Sequence, residues 1–167
     1  GYQKVFGTLD TNFWCCTGTG MENFTKLQDS IYFEADGVTG INLYVASEYK
    51  KDGFVIRQSG DLTKKEEMTI SVSGTPDSDL YLRIPYWVKG AAEIRMENGV
   101  YEPETVDGYY VIPKEKLQDN KSFTIFLPME VRAENLPDSK DTYAFRYGPF
   151  VLSAALGTDK QGVTNHG

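Results

Sequence analysis

Apolar and polar residues alternate along most of the chain with a period of two, which is the pattern of strands with one buried face. The clearest runs are residues 68–72 and residues 80–84, and Pro85 ends the second run because proline cannot donate to a sheet. The segments with this strand pattern are 30–34, 41–45, 54–58, 68–72, 80–84, 92–96, 109–112, 123–127, 130–133, 143–147 and 150–155. Short strands separated by turn residues predict an all-β fold, an antiparallel, jelly-roll-like β-sandwich.

The period changes at the beginning of the chain. Residues 1–13 show no period and predict an extended arm. Phe24 and Leu27 lie three residues apart, as on one apolar face of a helix, so a short helix is expected to end before the first strand. Thr19 and Glu22 fit the Thr-x-x-Glu capping box, which predicts that this helix begins at Thr19.

Charge and hydropathy exclude two classes of partner. The net charge is -7 and the pI is about 4.8, so the chain would repel a phosphate backbone, and no nucleic acid partner is expected. No apolar run approaches the roughly 20 residues that a membrane-spanning helix needs, so no membrane partner is expected either. Aromatic residues make up 13% of the chain, which favours strands.

The two cysteines, Cys15 and Cys16, are adjacent. Neighbouring cysteines form a strained disulfide, so a stapled scaffold is excluded. Thiolates bind zinc well, and a helix start lowers the pKa of a thiol, so the pair is a candidate half of a metal site. A zinc site needs more ligands, and the only histidine is His166 near the end of the chain. The alternative is that both cysteines are small, buried and inert.

Three further motifs each have a functional and a structural interpretation. The stretch Gly18-Thr19-Gly20 could cradle a phosphate, but it lacks the lysine of a P-loop and fits a helix entry. Glu22 could be a general acid or base, or only a helix cap. The pairs Tyr86-Trp87 and Tyr109-Tyr110 could stack on a sugar, or could pack in the sandwich as aromatic residues usually do.

Several strings in the chain resemble glycoside hydrolase families 127 and 146, the β-L-arabinofuranosidase-like enzymes. The first string runs from Phe13 to Asn23 and includes the cysteine pair; it resembles the end of the catalytic barrel, together with Lys26 and residues 29–33. The later strings resemble the β-sandwich that follows the barrel, and they occur in the same order: residues 41–45, 82–87, 127–132 and 146–152.

The resemblance implies an (α/α)6 barrel, a zinc ion held by one glutamate and three cysteines, and a retaining mechanism. Cys15 would be both a zinc ligand and the nucleophile that attacks the anomeric carbon, and Cys16 would be a second ligand. Zinc would hold Cys15 as a thiolate, and a separate glutamate would act as acid and then base while a thioglycoside forms and is hydrolysed. Glu22 is not at the acid/base position.

The sequence departs from the family pattern because the Glu-x-Cys ligands, the acid/base glutamate and the rest of the barrel are expected upstream. We therefore expect this chain to be inactive alone and to hold no zinc, with the upstream barrel and an arabinofuranoside-type sugar as its partners. The expected division is residues 1–30 as the end of the barrel, 31–156 as the sandwich with a sub-boundary near 136–141, and 157–167 as a frayed tail or linker. The alternative function is a non-catalytic carbohydrate-binding or structural module, with Trp87 and Tyr86 as candidate sugar contacts.

Overall fold

The structure, a computed structural model, describes residues 15–35, 37–118 and 121–155. Its one long helix is α1 (Cys15–Ile31), and a single 3-10 turn covers Lys114–Lys116. The strands in chain order are β1 (Tyr32–Ala35), β2 (Val38–Ile41), β3 (Ser47–Lys51), β4 (Phe54–Ser59), β5 (Glu67–Gly74), β6 (Asp79–Arg83), β7 (Glu93–Met96), β8 (Gly99–Tyr101), β9 (Glu104–Val106), β10 (Tyr109–Ile112), β11 (Ser122–Phe126), β12 (Val131–Asn135), β13 (Tyr143–Tyr147) and β14 (Phe150–Val151).

Two large sheets form the β-sandwich that the sequence predicts. The first sheet has the order β1-β2-β6-β10-β9, and the second has the order β3-β4-β5-β11-β7-β8. Every described pair is antiparallel except β2 and β6, which run parallel with Val38 opposite Asp79. The chain leaves the first sheet after β2, builds β3, β4 and β5 of the second, and then returns as β6. A parallel pair needs such a long crossover connection.

The core lies between the two sheets. Along β5 buried and half-buried residues alternate, and the buried ones are Met68, Ile70 and Val72. Strand β6 shows the same alternation, with Leu80 and Leu82 buried. This alternation is what a period of two produces when one face of a strand is covered. The other core residues with at most 1% of their surface exposed are Ile41, Ile56, Ile94, Ile112, Leu117, Ile125 and Leu127.

A third sheet, β12-β13-β14, follows the sandwich. Residues 136–141, where the sequence suggested a sub-boundary, form the turn between β12 and β13, and the Leu136 amide donates to the Thr142 carbonyl at 3.0 Å. Glu66 joins the third sheet to the sandwich, because its carboxylate accepts hydrogen bonds from the Tyr147 hydroxyl and from the Met129 amide.

Several predicted boundaries are wrong in an instructive way. The helix begins at Cys15 rather than Thr19, so Thr19 and Glu22 lie inside α1 and do not form a capping box. The alternating run 41–45 is a strand only up to Ile41. The sequence also missed β3, whose residues Ser47–Lys51 are mostly polar because the strand lies at a sheet edge. The predicted arm 1–13 and tail 157–167 lie outside the described residues, and the division into domains stays a prediction.

Candidate functional site

A pocket of about 570 Å³ opens between segments that are far apart in the sequence. Its walls are the loop after β2, the loop after β4, the end of β6 with the residues that follow, and the region around the β13–β14 turn. The lining residues are Asn42, Leu43, Tyr44, Val45, Ala46, Gly60, Asp61, Leu62, Thr63, Met68, Arg83, Pro85, Tyr86, Trp87, Arg146, Pro149 and Phe150. This volume lies within the range of small-molecule sites in proteins, about 300–1,000 Å³.

The first wall of the pocket, residues 42–46, is held by the end of α1. The amides of Asn42 and Leu43 donate to the Ile31 carbonyl at 2.8 and 3.3 Å. That carbonyl is one of the helix-terminal groups that has no partner inside the helix. The side-chain amide of buried Gln58 donates to the Leu43 carbonyl at 3.1 Å. These bonds take the loop out of the sheet and explain why the alternation at 41–45 does not form a strand.

The second wall presents an exposed aromatic ring in a fixed position. Tyr86 is 68% exposed, and its hydroxyl accepts a hydrogen bond from Arg146 Nη1 at 2.9 Å. Trp87 is half-buried and packs beside Gly148, whose φ of 55° and lack of a side chain leave room for the indole ring and for Met129. Tyr86 therefore offers a free ring face, whereas Trp87 serves partly as core packing.

The charged groups around the pocket differ in how well they are paired. Arg146 contacts the Tyr86 hydroxyl and lies 3.4 Å from Glu134, and Asp61 pairs with Lys64 at 3.0 Å. Hydrogen bonds from Thr63, and to a smaller extent from Lys64, hold the pKa of the Asp61 carboxyl below its usual range.

Arg83 is different, because it is a half-buried residue whose guanidinium makes no hydrogen bond or ion pair with any residue that the structure describes. Its backbone carbonyl, by contrast, accepts a hydrogen bond from the buried Tyr44 hydroxyl at 2.6 Å. Burial raises the pKa of Tyr44 well above its ordinary value, and the positive charge of Arg83 opposes that shift only in part.

The chemistry of this pocket is that of a binding site. Its walls combine apolar surface, one exposed ring and a few polar groups, which is the composition of sites that hold a small ligand. Asp61 is the only carboxylate in the described lining, whereas retaining glycoside hydrolysis usually needs two catalytic side chains about 5 Å apart. The pocket itself therefore does not supply a hydrolytic pair.

The cysteine pair lies at the beginning of α1. Cys15 and Cys16 are its first two residues, and their side chains lie outside the described part of the structure. A helix of 17 residues is roughly 24 Å long, so Cys15 lies roughly that far from Ile31, whose carbonyl accepts hydrogen bonds from the pocket residues Asn42 and Leu43. No cluster of three or more metal-binding side chains occurs among the described residues.

The remaining candidates from the sequence lie apart from the pocket lining. Gly18-Thr19-Gly20 is helical, so it is not a phosphate loop. Glu22 is exposed on α1, where its backbone carbonyl accepts a hydrogen bond from Thr25 at 2.7 Å. Tyr109 packs edge-on against Phe33, and the Tyr110 hydroxyl donates to the Ala92 carbonyl at 2.9 Å. Of the aromatic pairs, only Tyr86-Trp87 lines the pocket.

Sequence reasoning missed the two arginines, Arg83 and Arg146, as well as the loop at 42–46. A signal for them was present, because each lies in a string that carries the family resemblance: 41–45, 82–87 and 146–152. The structure brings these three strings together at one pocket. Collinear motifs that seem unrelated along the chain can thus mark a single site.

Comparisons with solved structures show the same fold in larger proteins. A GH127 β-L-arabinofuranosidase from Geobacillus stearothermophilus matches with a TM-score of 0.69 and 22% identity over 82% of this chain and 23% of its own. A structure described as a glycoside hydrolase matches with a TM-score of 0.71 and 17% identity, over 90% of this chain and 27% of its own. Another GH127 β-arabinofuranosidase matches with a TM-score of 0.66 and 20% identity, over 82% of this chain and 25% of its own. This chain thus spans about a quarter of the length of these proteins.

Sequence comparison identifies the family. No curated protein matches the chain. The described helices include none that is long and apolar enough to cross a membrane. The family description "Beta-L-arabinofuranosidase, GH127 middle domain" matches residues 39–129, which is more than half of the chain and includes most of the sandwich and two of the three strings at the pocket. The chain therefore belongs to the GH127 β-L-arabinofuranosidase family, of which it contains the β-sandwich middle domain.

Proposed function

We propose that this chain is the part containing the β-sandwich of a retaining glycoside hydrolase that acts on β-L-arabinofuranosides and uses a cysteine nucleophile. The observation that carries this proposal is the position of Cys15 and Cys16 at the start of α1, next to a GH127 middle domain. Free backbone N–H groups and the helix dipole at this position favour the thiolate over the thiol.

The donor set fits half of a zinc site. Cys15 and Cys16 would hold the metal together with a glutamate and a third cysteine from an upstream barrel, since two thiols leave a tetrahedral site incomplete. Zinc, when bound, keeps both sulfurs ionised at neutral pH. The family resemblance places the remaining ligands and the acid/base glutamate in the upstream barrel, so we propose that this chain is inactive alone.

The reaction would proceed in two displacements. The Cys15 thiolate attacks the anomeric carbon, and the bond to the leaving oxygen breaks as a glutamate from the upstream barrel gives that oxygen a proton. Water then attacks the same carbon after losing a proton to that glutamate, and the Cys15 sulfur leaves. Two inversions retain the anomeric configuration.

Exposed apolar side chains on α1 support a role for the sandwich in bracing a barrel. Met21 is 66% exposed and Phe24 is 75% exposed, three residues apart on one helix face. A helix with uncovered apolar residues gains stability when another element packs on that face. Since α1 also bonds the pocket wall through Ile31, it would link the barrel to the sandwich.

The proposal is tested by kinetics on a protein in which this chain is joined to its upstream barrel. With an aryl β-L-arabinofuranoside, Cys15→Ser should lower kcat by at least about a thousandfold, because a neutral hydroxyl replaces the thiolate. Cys16→Ser is the matched control and should lower the zinc content while leaving the nucleophile in place. Undiminished turnover in Cys15→Ser removes Cys15 as the nucleophile.

A second candidate function is carbohydrate binding by the sandwich itself. The observation that favours it is the pocket beside Tyr86, whose exposed ring is anchored through its hydroxyl. Titration of arabinan oligosaccharides into this chain should show saturable binding that Trp87→Ala or Tyr86→Ala weakens. If no sugar binds at millimolar concentrations, the role of the sandwich is purely structural.

A further inference from the structure

Arg83 is the group in the pocket whose chemistry the proposed functions do not use. Arg83 is the last residue of β6, and its side chain lies on the face opposite that of Leu82. It is half-buried and lines the pocket. Guanidinium groups in such positions normally pair with a carboxylate or a phosphate, since they carry five donors in a planar fork. No described residue of the chain accepts any of these donors.

A second guanidinium lines the same pocket. Arg146 is held by the Tyr86 hydroxyl at 2.9 Å and lies 3.4 Å from Glu134. The one acid in the described lining is Asp61, which is engaged by Thr63 and Lys64. The described lining therefore holds two arginines and one acid, although the chain as a whole carries a net charge of -7.

We propose that this pocket binds an acidic sugar, a uronate residue, with its carboxylate on Arg83 and its ring on Tyr86. An exposed aromatic ring suits the apolar face of a pyranose, and an unpaired guanidinium suits its carboxylate. The inference rests on carbohydrate binding by the sandwich and adds the charge class of the sugar.

The shape of the site favours a sugar over a protein segment as the occupant. The lining is concave, encloses about 570 Å³ and combines apolar walls with a few polar groups, as small-molecule sites do. The described lining contains one carboxylate, Asp61, and so offers no pair of carboxylates for cleaving a glycosidic bond, which is why we assign the pocket to binding.

The test compares two sugars that differ in one group. D-Galacturonate and D-galactose have the same ring and differ in whether the exocyclic carbon is a carboxylate or a hydroxymethyl group. Each is titrated into this chain and followed by the amide NMR signals of residues 42–46, 83, 84, 86 and 87, since Pro85 has no amide proton. We expect galacturonate to shift these signals saturably and to bind about tenfold more tightly than galactose, since hydrogen bonds to a charged group are the stronger ones.

Variants separate the charge from the ring. Arg83→Gln should weaken galacturonate about tenfold and leave galactose unchanged, Arg83→Lys should retain part of the preference, and Tyr86→Ala should weaken both sugars. Arg57→Gln, which removes an arginine paired with Glu48 outside this pocket, should change neither sugar.

The outcomes distinguish this inference from the function on which it rests. Equal binding of both sugars, or an unchanged preference in Arg83→Gln, overturns the acidic-sugar assignment and leaves carbohydrate binding intact. If neither sugar nor arabinan moves the signals, both fail. The unpaired guanidinium is then assigned to a carboxylate of another segment of the parent protein.

Discussion

The sandwich and the elements that flank it bury their apolar residues very differently. Between the two large sheets, residues such as Ile70, Leu82 and Ile125 have no exposed surface. In the third sheet, Val131 is 61% exposed and Phe145 is 52% exposed, although the strand pattern is equally regular. Apolar strand residues are thus buried inside the sandwich, whereas those of the third sheet remain exposed. The residues of the sandwich bury one another in a common core, whereas the flanking elements expose apolar side chains that are suited to further contacts.

The largest expected effect on the free energy of unfolding comes from a cavity in the core of the sandwich. Leu82→Ala should lower the free energy of unfolding by about 3 kcal/mol, because it removes buried methyl groups and leaves a void that the sheets cannot fill. Phe145→Ala in the third sheet should cost less than about 1 kcal/mol, since its ring is half exposed. Urea denaturation measures both. Equal costs would mean that the third sheet is part of the same closed core.

A smaller effect is expected from crowding at a turn. Gly74 has a φ of 86°, and a Cβ there would clash with the carbonyl of Gly53. Gly74→Ala should therefore cost about 2 kcal/mol from backbone strain and overpacking together. Gly37 has a φ of 71° with open space around it, so Gly37→Ala should cost only about 1 kcal/mol. If thermal unfolding gives both variants the same loss, the close approach of Gly74 to the β3–β4 turn is incorrect.

The smallest effect is one of pH on the pocket wall. Burial raises the pKa of Tyr44, so its contribution to stability is complete below about pH 10, the ordinary pKa of tyrosine, and is lost as the pH rises above that value. Between pH 10 and pH 11 the wild type should lose about 1 kcal/mol more than Tyr44→Phe, which has no hydroxyl to ionise. Exposed Tyr143→Phe is the control and should behave as the wild type. Parallel pH profiles of urea stability for the wild type and Tyr44→Phe would argue against a buried hydroxyl.

The sequence was a good guide wherever a strand had one covered face. The alternation at residues 68–72 and 80–84 located β5 and β6, because burial on one side imposes a period of two. It failed at 41–45, where Leu43 and Val45 line a pocket instead of a core, and at polar β3. It also failed at Thr19, since a capping motif is local and α1 begins four residues earlier.

The pocket could be foreseen only in part. Tyr86 and Trp87 were visible as a pair of aromatic residues, but their partner Arg146 is 60 residues away from Tyr86 in the sequence. Arg83 resembled an ordinary outward residue of an alternating strand. Which outward residues share a site depends on the crossover that places β2 beside β6, and no local pattern encodes that pairing.

The central claim is that Cys15 becomes a nucleophile when an upstream barrel completes its site. The most direct measurement uses a protein that joins this chain to its barrel and a slowly turned-over β-L-arabinofuranoside substrate. The reaction is quenched during turnover, and the peptides are examined by mass spectrometry. The account predicts a pentosyl adduct on the Cys15 sulfur, and none on Cys16 or on any carboxylate. An adduct on a glutamate or aspartate, formed while Cys15 remains free to react with an alkylating agent, would contradict it.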